Sequence, residues 1–295
     1  MYELIRVSEH DYYIDCPSKM GISVTSGNEV ILFDAGNNKD AGKKAMKAID
    51  SMGWTLKTVY ITHGHADHIG GCRLLRDRTG CQVYAAGVEY DFTRHTILNP
   101  TCVYGGYPME ELRKNKFFVA EPCEALPLCE NSLPEGYTAV PLPGHSYDMT
   151  AYRTPDGNLY AGDAVCSEET IEKYKIGFLV DVGKYLSSIE TLREMPAGIV
   201  IPSHAPATSD IAPLCEKNAL GVRKVGEDIL SFLREKPETV DTLLGKILTL
   251  YGTEMNMFQY ALLGSTLRSY LSWLSDTGKV HYTVRENCML WEAEA

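Results

Sequence analysis

The sequence predicts an α/β body followed by a smaller helical module. Three observations support this fold class. Short apolar, β-branched runs alternate with amphipathic helical patterns as far as residue 206. Beyond Pro206 the pattern changes to three long helical segments, and these are followed by a pattern typical of a β-hairpin. We therefore predict two domains, a larger one at residues 1–217 and a smaller one at residues 218–295.

The larger domain begins with four short strands separated by Ser, Pro and Gly-Asn, which are typical of turns. A helix follows, in which apolar residues recur on one side. Next come a strand, a histidine-rich loop, a helix that includes Leu74, Leu75 and Arg78, and another short strand. The first strands are predicted at 4–7, 12–14, 22–25 and 30–33, the first helix at 39–52, and the later strands at 58–62 and 81–84.

Residues 88–136 show no regular period and are rich in Pro, Gly, Tyr and Cys. Irregular segments of this length are uncommon in compact domains and are often functional. We therefore predict an ordered lid or rim over the functional site. Tyr104 and Tyr107 are candidate substrate contacts within it, and packing beneath the loop is an equally good interpretation of both.

Strand patterns then resume and lead into the helical module. Strands are predicted at 138–142, 149–152, 159–161 and 198–201, with helices at 168–175 and 184–194 among them. The module contains helices at 211–235, 240–251 and 259–276, followed by a hairpin of strands at 278–284 and 288–292. Helices followed by a hairpin predict a winged-helix-like domain.

The composition is that of an ordinary globular protein with an acidic balance. Of 295 residues, 44% are hydrophobic and 23% charged, and the net charge is −11. Such a charge argues against tight nonspecific nucleic-acid binding, which depends on basic clusters. No apolar run approaches the roughly 18 residues of a transmembrane helix, and the first residues lack the features of a signal peptide. Nine cysteines without a C-x-x-C pair indicate reduced thiols, so we expect a cytoplasmic protein.

Metal-ligand side chains are concentrated in residues 63–68, which read H-G-H-A-D-H. This run follows a predicted strand, whose end holds the backbone while the next side chains point in different directions. His63, His65, Asp67 and His68 can therefore converge on a small volume, as divalent ions such as zinc require. Asp67 is also a favoured residue for the N-cap of the helix that follows, and the two roles are compatible.

Three later segments repeat one theme, a strand followed by a tight turn that carries a ligand-type residue. They are P-G-H with His145, A-G-D with Asp163 and P-S-H with His204. A single histidine is more often an ordinary core or surface residue, and Asp163 alone could be a turn residue. Together the candidates are five imidazoles and two carboxylates, about the number that two tetrahedral to five-coordinate ions need.

The motifs T-H-G-H-A-D-H-I-G-G, P-G-H-S, A-G-D-A and P-S-H occur in that order within residues 1–206. They resemble those of the metallo-β-lactamase superfamily, in particular its hydroxyacylglutathione-hydrolase-like branch. The resemblance implies an αββα sandwich with a metal site at the sheet edge. It also implies two divalent ions, zinc by preference, with iron or manganese as alternatives. His63, His65 and His145 would hold one ion, Asp67, His68 and His204 the second, Asp163 would bridge both, and Asp34 would support a ligand from behind.

A pair of such ions supplies hydroxide at neutral pH. The predicted reaction is attack of this metal-bridging hydroxide on an ester or thioester carbonyl of a small acyl substrate, with Asp67 orienting the hydroxide or accepting its proton. The resemblance leaves two alternatives, an endoribonuclease or phosphodiesterase and an iron-dependent oxidoreductase similar to persulfide dioxygenases. Ala66 argues against a flavodiiron-type oxygen reductase, which generally has glutamate at that position.

The charge of the helical module bears on the choice of partner. Residues 217–295 contain 9 basic and 10 acidic residues, so their net charge is −1. Winged helices often bind nucleic acid, but basic clustering is the expected mark of such a role. We therefore expect a small-molecule substrate, no membrane partner, and a packing or homodimer role for the module, with nucleic-acid binding as the alternative.

Overall fold

In the computed structural model, which describes residues 2–294, two β-sheets pack face to face and each carries helices on its outer side. The αββα sandwich predicted from the sequence is confirmed. A separate two-stranded sheet follows the helices of the C-terminal module. Among the residues from Tyr2 to Glu294, no helix is both long and apolar enough to cross a membrane.

The first sheet contains seven strands, and their order in space is their order in the chain. The strands are β1 (Glu3–Arg6), β2 (Asp11–Asp15), β3 (Met20–Val24), β4 (Glu29–Phe33), β5 (Thr55–Ile61), β6 (Gln82–Ala85) and β7 (Leu126–Pro127). Neighbours are antiparallel from β1 to β4 and parallel from β4 to β7. The connecting helices are α1 (Lys39–Ser51), α2 (Ala66–Ile69) and α3 (Cys72–Thr79). The parallel strands therefore end at the same edge of the sheet.

The segment between β6 and β7 differs from the prediction. An irregular segment is expected there, but the structure contains α4 (Glu89–Arg94), α5 (Leu98–Tyr104) and α6 (Glu110–Arg113). These helices have six, seven and four residues. A helix of two turns or fewer repeats its apolar period too few times to be read from a single sequence.

The second sheet contains four strands. They are β8 (Thr138–Pro141), β9 (Thr150–Arg153), β10 (Leu159–Cys166) and β11 (Val200–His204), and they lie in the order β11-β10-β9-β8. Two helices follow β10, namely α7 (Glu168–Tyr174) and α8 (Val182–Glu194). Strand β10 extends well beyond the predicted 159–161, and its register with β11 shifts on both sides of Gly162. Asp163 is therefore part of a distorted strand rather than of a turn after it.

An aromatic layer joins the two sheets. Side chains alternate along β4, so Val30 and Leu32 pack toward the helices while Ile31 and Phe33 face the other sheet. The Phe33 ring stacks on Tyr160 with 4.5 Å between ring centroids and on Tyr152 with 5.3 Å. Because both faces of the sheet are covered, its strands read as nearly continuous apolar runs.

The C-terminal module shares its core with the second sheet. It contains α9 (Ala212–Glu235), α10 (Val240–Leu250) and α11 (Met257–Asp276), followed by the hairpin of β12 (Val280–Arg285) and β13 (Cys288–Ala293). One apolar cluster runs from Leu159 through Ile229 to Leu271. Glu238 pairs with Trp291 through two backbone hydrogen bonds, which adds an isolated bridge of one residue to the two-stranded hairpin.

The predicted boundary at residues 217 and 218 falls inside α9, which continues through it without a break. The same helix contributes Cys215 on one side of this point and Ala219 on the other to a single apolar cluster. The division into two domains therefore stays a prediction, and no end of an element marks it.

Replacing Phe33 by alanine should destabilise the fold, because the ring is 1% exposed and fills the layer between the sheets. Removal of a buried phenylalanine side chain lowers the free energy of unfolding by about 3–5 kcal/mol. Urea denaturation followed by circular dichroism measures the change. Tyr107→Ala is the matched control, since Tyr107 is 75% exposed. A Phe33→Ala value as small as that of the control would contradict this account of the core.

Candidate metal centre

The seven ligand-type residues come together at one edge of the sandwich. His63, His65, Asp67 and His68 follow β5 in the first sheet. The other three belong to the second sheet or its loops, with His145 after β8, Asp163 in β10 and His204 at the end of β11. The structure thus brings together every residue that the sequence placed in this set.

Glycines let the backbone turn sharply beside two of these residues. Gly162 has φ +55°, and a Cβ atom on it would lie 2.8 Å from the Thr62 hydroxyl oxygen. Gly144 has φ +128°, and a Cβ atom there would lie 2.2 Å from the backbone nitrogen of Tyr185. Only glycine has both the conformational freedom and the small size that these positions require.

Two groups of three residues that share no member could each hold a cation, and a third group, His63, His68 and Asp163, overlaps both. In the first, ligand atoms of His63, His65 and His145 all lie within 4.8 Å of one another, and His65 Nδ1 is 3.0 Å from His145 Nε2. In the second, the same limit holds for Asp67, His68 and His204. Here Asp67 Oδ2 lies 3.1 Å from His204 Nε2 and 3.5 Å from His68 Nε2.

Asp163 lies between the two groups. Its Oδ2 atom is 3.4 Å from His145 Nε2 in the first group and 3.4 Å from His204 Nε2 in the second. Its Oδ1 atom is 3.2 Å from His68 Nε2. A single carboxylate therefore faces both groups at once.

An unpaired buried nitrogen also indicates that these residues suit a divalent cation, and this observation does not depend on the distances above. Within residues 2–294, the Nε2 atom of His63 is buried and has no hydrogen-bond partner. An orphaned buried polar atom of this kind costs about 1–3 kcal/mol. A cation among the imidazole nitrogens and carboxylate oxygens would satisfy it, and such a mixture of N and O ligands suits zinc and similar ions.

Burial sets the protonation of the first group. Desolvation lowers the pKa of His63 well below its ordinary value and that of His65 to about 3. Burial also lowers the pKa of His145. These three imidazoles are therefore neutral at pH 7 and keep a lone pair free, which is the form that ligates metals.

The carboxylates remain ionised for the opposite reason. Burial alone would raise the pKa of Asp163, but the neighbouring His204 and His68 hold it well below its ordinary value. Asp67 behaves alike, because His68 and His204 outweigh its desolvation and keep its pKa low. Both oxygens of each carboxylate can therefore accept hydrogen bonds or coordinate a cation.

Outer hydrogen bonds fix the orientation of several rings. His145 Nδ1 donates to the carbonyl of Phe178 at 3.2 Å, and His204 Nδ1 donates to the carbonyl of Pro17 at 2.8 Å. Because each Nδ1 carries the proton, the lone pair of each ring is on Nε2, which points into the site. His68 is held in the same way by the Asp34 carboxylate, which lies 2.8 Å from its Nδ1.

Comparison with known proteins agrees with this geometry. Residues 22–204 match the family model of the metallo-beta-lactamase superfamily. The chain belongs to the metallo-β-lactamase superfamily. Over 260 residues it is 24% identical to the probable metallo-hydrolase YqjP of Bacillus subtilis (strain 168), covering 74% of this chain and 77% of that protein. Over 207 residues it is 48% identical to a hydroxyacylglutathione hydrolase of Nitrobacter hamburgensis, covering 68% and 69% of the two chains.

A solved structure shows the same fold over nearly the whole chain. It is a metallo-β-lactamase family protein from Thermus thermophilus, with a TM-score of 0.71 at 18% identity, covering 99% of this chain and 97% of that one. The helical C-terminal module is therefore part of the shared fold. Family and relatives together identify this superfamily member as a metal-dependent hydrolase.

Asp34 supports the superfamily site from behind. Its buried side chain accepts hydrogen bonds from the Thr62 backbone N–H and the Thr62 hydroxyl, both at 2.8 Å, in addition to the contact with His68. The Thr62 hydroxyl oxygen can then accept from His63 Nδ1, 3.1 Å away. Asp34 thus orients His68 directly and His63 through Thr62.

Sequence reasoning missed Glu89. This buried carboxylate accepts hydrogen bonds from the Gly64 N–H at 2.7 Å, the Ser146 hydroxyl at 2.6 Å and the Asp148 N–H at 2.9 Å. It therefore ties the loop of His63 and His65 to the loop of His145. The one feature of the sequence that could have drawn attention to Glu89 is its position at the start of a helix. Acidic residues are common there, so this position does not indicate a supporting role.

The substrate contacts predicted at Tyr104 and Tyr107 stay a prediction, because neither residue lines the cavity beside the ligands. A cavity of about 250 Å³ opens beside the ligands, and neither tyrosine is among its lining residues within the described chain. Helix α5 turns Asn99, Cys102 and Val103 toward the cavity, and Tyr104 is one position further round the helix. Tyr107 lies beyond the end of α5 and is largely exposed.

Replacing Glu89 by glutamine should weaken metal binding without removing a ligand. The amide has one acceptor oxygen where the carboxylate receives three hydrogen bonds, so the two loops lose part of their connection. Loss of such a supporting contact costs about 10–100-fold in metal affinity. Zinc competition with a chromophoric chelator measures it, and the exposed Glu110→Gln serves as control. Equal affinities for the two variants would show that Glu89 does not position the site.

Proposed function

We propose that this protein hydrolyses an ester or thioester of a small acyl substrate, using two divalent metal ions that are zinc by preference. One observation carries the proposal, namely the position of Asp163 between two complete groups of ligand atoms. One group would hold the first ion and the other group the second, with Asp163 facing both. Such a pair of ions, when bound, lowers the pKa of a water between them and polarises a carbonyl oxygen.

Asp67 is the residue we assign to proton handling. Its side chain is 37% exposed and lines the cavity beside the ligands. Its low pKa keeps it ionised, so it can accept a hydrogen bond from a water and orient that water. The proton of the water becomes strongly acidic as the water oxygen bonds to the acyl carbon, and Asp67 can accept it at that point although it is a weak base. The acyl–sulfur or acyl–oxygen bond breaks in the same overall hydrolysis, giving a carboxylic acid and a thiol or alcohol.

The choice of an acyl substrate is supported by the relatives and by the charge of the module. One relative is named a hydroxyacylglutathione hydrolase, and an acylglutathione is a thioester. A ribonuclease would need cations for the phosphate backbone. In the module Lys224 is paired with Asp228, and Lys236 and Lys246 both lie near the Glu238 carboxylate. We therefore favour thioesters and esters over RNA.

Metal content tests the two-ion part of the proposal. Zinc-loaded protein should carry two zinc ions per chain by mass spectrometry of the metal. His145→Ala and His204→Ala should each carry about one, since each substitution removes a ligand from a different group. His281→Ala should retain two zinc ions, because His281 pairs with Glu292 and Glu294 in the C-terminal hairpin and belongs to neither group of ligands. One ion in the unchanged protein, or iron accompanied by oxygen uptake, would contradict the proposal.

Turnover tests the reaction. Zinc-loaded protein should hydrolyse members of a thioester panel and leave a short single-stranded RNA intact. Asp67→Asn should reduce kcat by about 10²–10⁴-fold, the usual contribution of a general base, while the exposed Asp77→Asn leaves it unchanged. Metal content is measured in parallel, because Asp67 also belongs to the second group. Cleavage of RNA alone would show that the assignment to acyl hydrolysis is wrong.

A further inference from the structure

We propose that the cavity beside the metal centre selects a neutral, apolar acyl group, and that helix α11 forms the wall that determines this selectivity. The inference rests on the proposed ester or thioester hydrolysis and adds the class of acyl group. The cavity has a volume of about 250 Å³ and touches His65, Asp67, His145 and Asp163. An acyl group in it would therefore lie next to the reacting carbonyl.

Helix α11 of the C-terminal module forms one wall of the cavity. Phe258, Leu262, Ser265 and Ser269 of this helix line the cavity. Opposite them are residues of the segment between β6 and β7, and the two parts are in direct contact. The rings of Phe118 and Phe258 lie 5.0 Å apart, and both belong to an apolar cluster that also includes Leu112 and Ala261. The C-terminal module is thus a structural part of the cavity.

The charge of the lining excludes an anionic acyl group. Among the described residues that line the cavity there is no lysine or arginine, and the carboxylates are those of Asp67 and Asp163. Metal ions would offset those two carboxylates at the ligand end. At the other end, a substrate carboxylate would face Phe118, Phe258 and Leu262 without a partner. Burying an unpaired charge is strongly unfavourable.

Several polar side chains line the cavity, and besides Ser265 and Tyr147 they use their donors within the protein. Asn99 donates from Nδ2 to the carbonyl of Gly64 at 2.8 Å, and Ser269 donates to the carbonyl of Val180 at 2.9 Å. The Ser146 hydroxyl donates to Glu89. Because these groups bond to the protein itself, the surface that they present to a ligand is mainly apolar.

The charge of the cavity indicates which half of the substrate enters. Among the described residues its lining has no lysine or arginine, so a peptide thiol such as glutathione, with two carboxylates, would find no cationic partner there. The carrier thiol therefore stays outside, and the acyl chain occupies the cavity.

The experiment varies the acyl group on one neutral carrier thiol. Acetyl, butyryl, hexanoyl and glutaryl thioesters of N-acetylcysteamine are compared by kcat/KM with zinc-loaded protein. Each buried methylene contributes up to about fourfold, so hexanoyl should exceed acetyl by at least about tenfold. Glutaryl should fall at least about tenfold below hexanoyl, because its carboxylate has no partner. Changing the carrier at constant acyl group should alter kcat/KM by much less.

A charge placed on α11 should reverse this preference. Leu262→Lys adds a cation to the apolar end, so the ratio of hexanoyl to glutaryl kcat/KM should fall at least about tenfold. Ser272→Lys adds the same charge to an exposed position of the same helix and should leave the ratio unchanged. Ser265→Lys is a second variant for the case in which Leu262→Lys does not fold. Metal content of each variant shows whether the site is intact.

The outcomes separate this inference from the proposed function. Hydrolysis of the thioesters with glutaryl equal to or better than hexanoyl would overturn the inference and leave the proposed function standing. An unchanged ratio in a folded variant with lysine at 262 or 265 would do the same. Hydrolysis of no thioester, and of no oxygen ester of the same acyl groups, by protein that carries two zinc ions would overturn the proposed function, and the inference with it.

Discussion

The rest of the structure depends on holding five imidazoles and two carboxylates in one small, largely buried volume. Such groups do not remain together unless their protonation states are compatible. Burial keeps His63, His65 and His145 neutral, so they do not repel one another as cations. The low pKa of Asp163 then places one negative charge where both groups of ligands can face it. Coordination by divalent ions would complete this balance.

The scaffold meets this constraint by distributing the ligands over both sheets. The residues after β5 belong to the first sheet, and Asp163 and His204 belong to the second. Distances across the site are therefore set by the spacing of the sheets, which the aromatic layer around Phe33 determines. Asp34 and Glu89 then fix the loops on the scale of single hydrogen bonds. Core packing and ligand geometry are consequently linked in this protein.

The sequence predicts the ligands better than it predicts their surroundings. The run at residues 63–68 and the turns at His145, Asp163 and His204 are local patterns, and all of these residues meet in the structure. Helices α4 to α6 were not predicted because each is too short to show a period. The role of Glu89 was missed because its three hydrogen-bond partners are distant in sequence and two of them are backbone N–H groups. The residue types along the chain do not indicate such contacts. The walls of the cavity likewise depend on tertiary contacts.

The separate origins of the ligands and of the cavity wall have an evolutionary consequence. The candidate metal ligands lie within residues 63–204, whereas Leu262 and its neighbours on α11 line the same cavity without belonging to either group of ligands. Substitutions on that helix can alter which molecules are accepted while the reaction itself is preserved. Duplicated copies of such a gene could thus acquire new metabolic roles through a few changes in one helix, with each intermediate remaining an active catalyst.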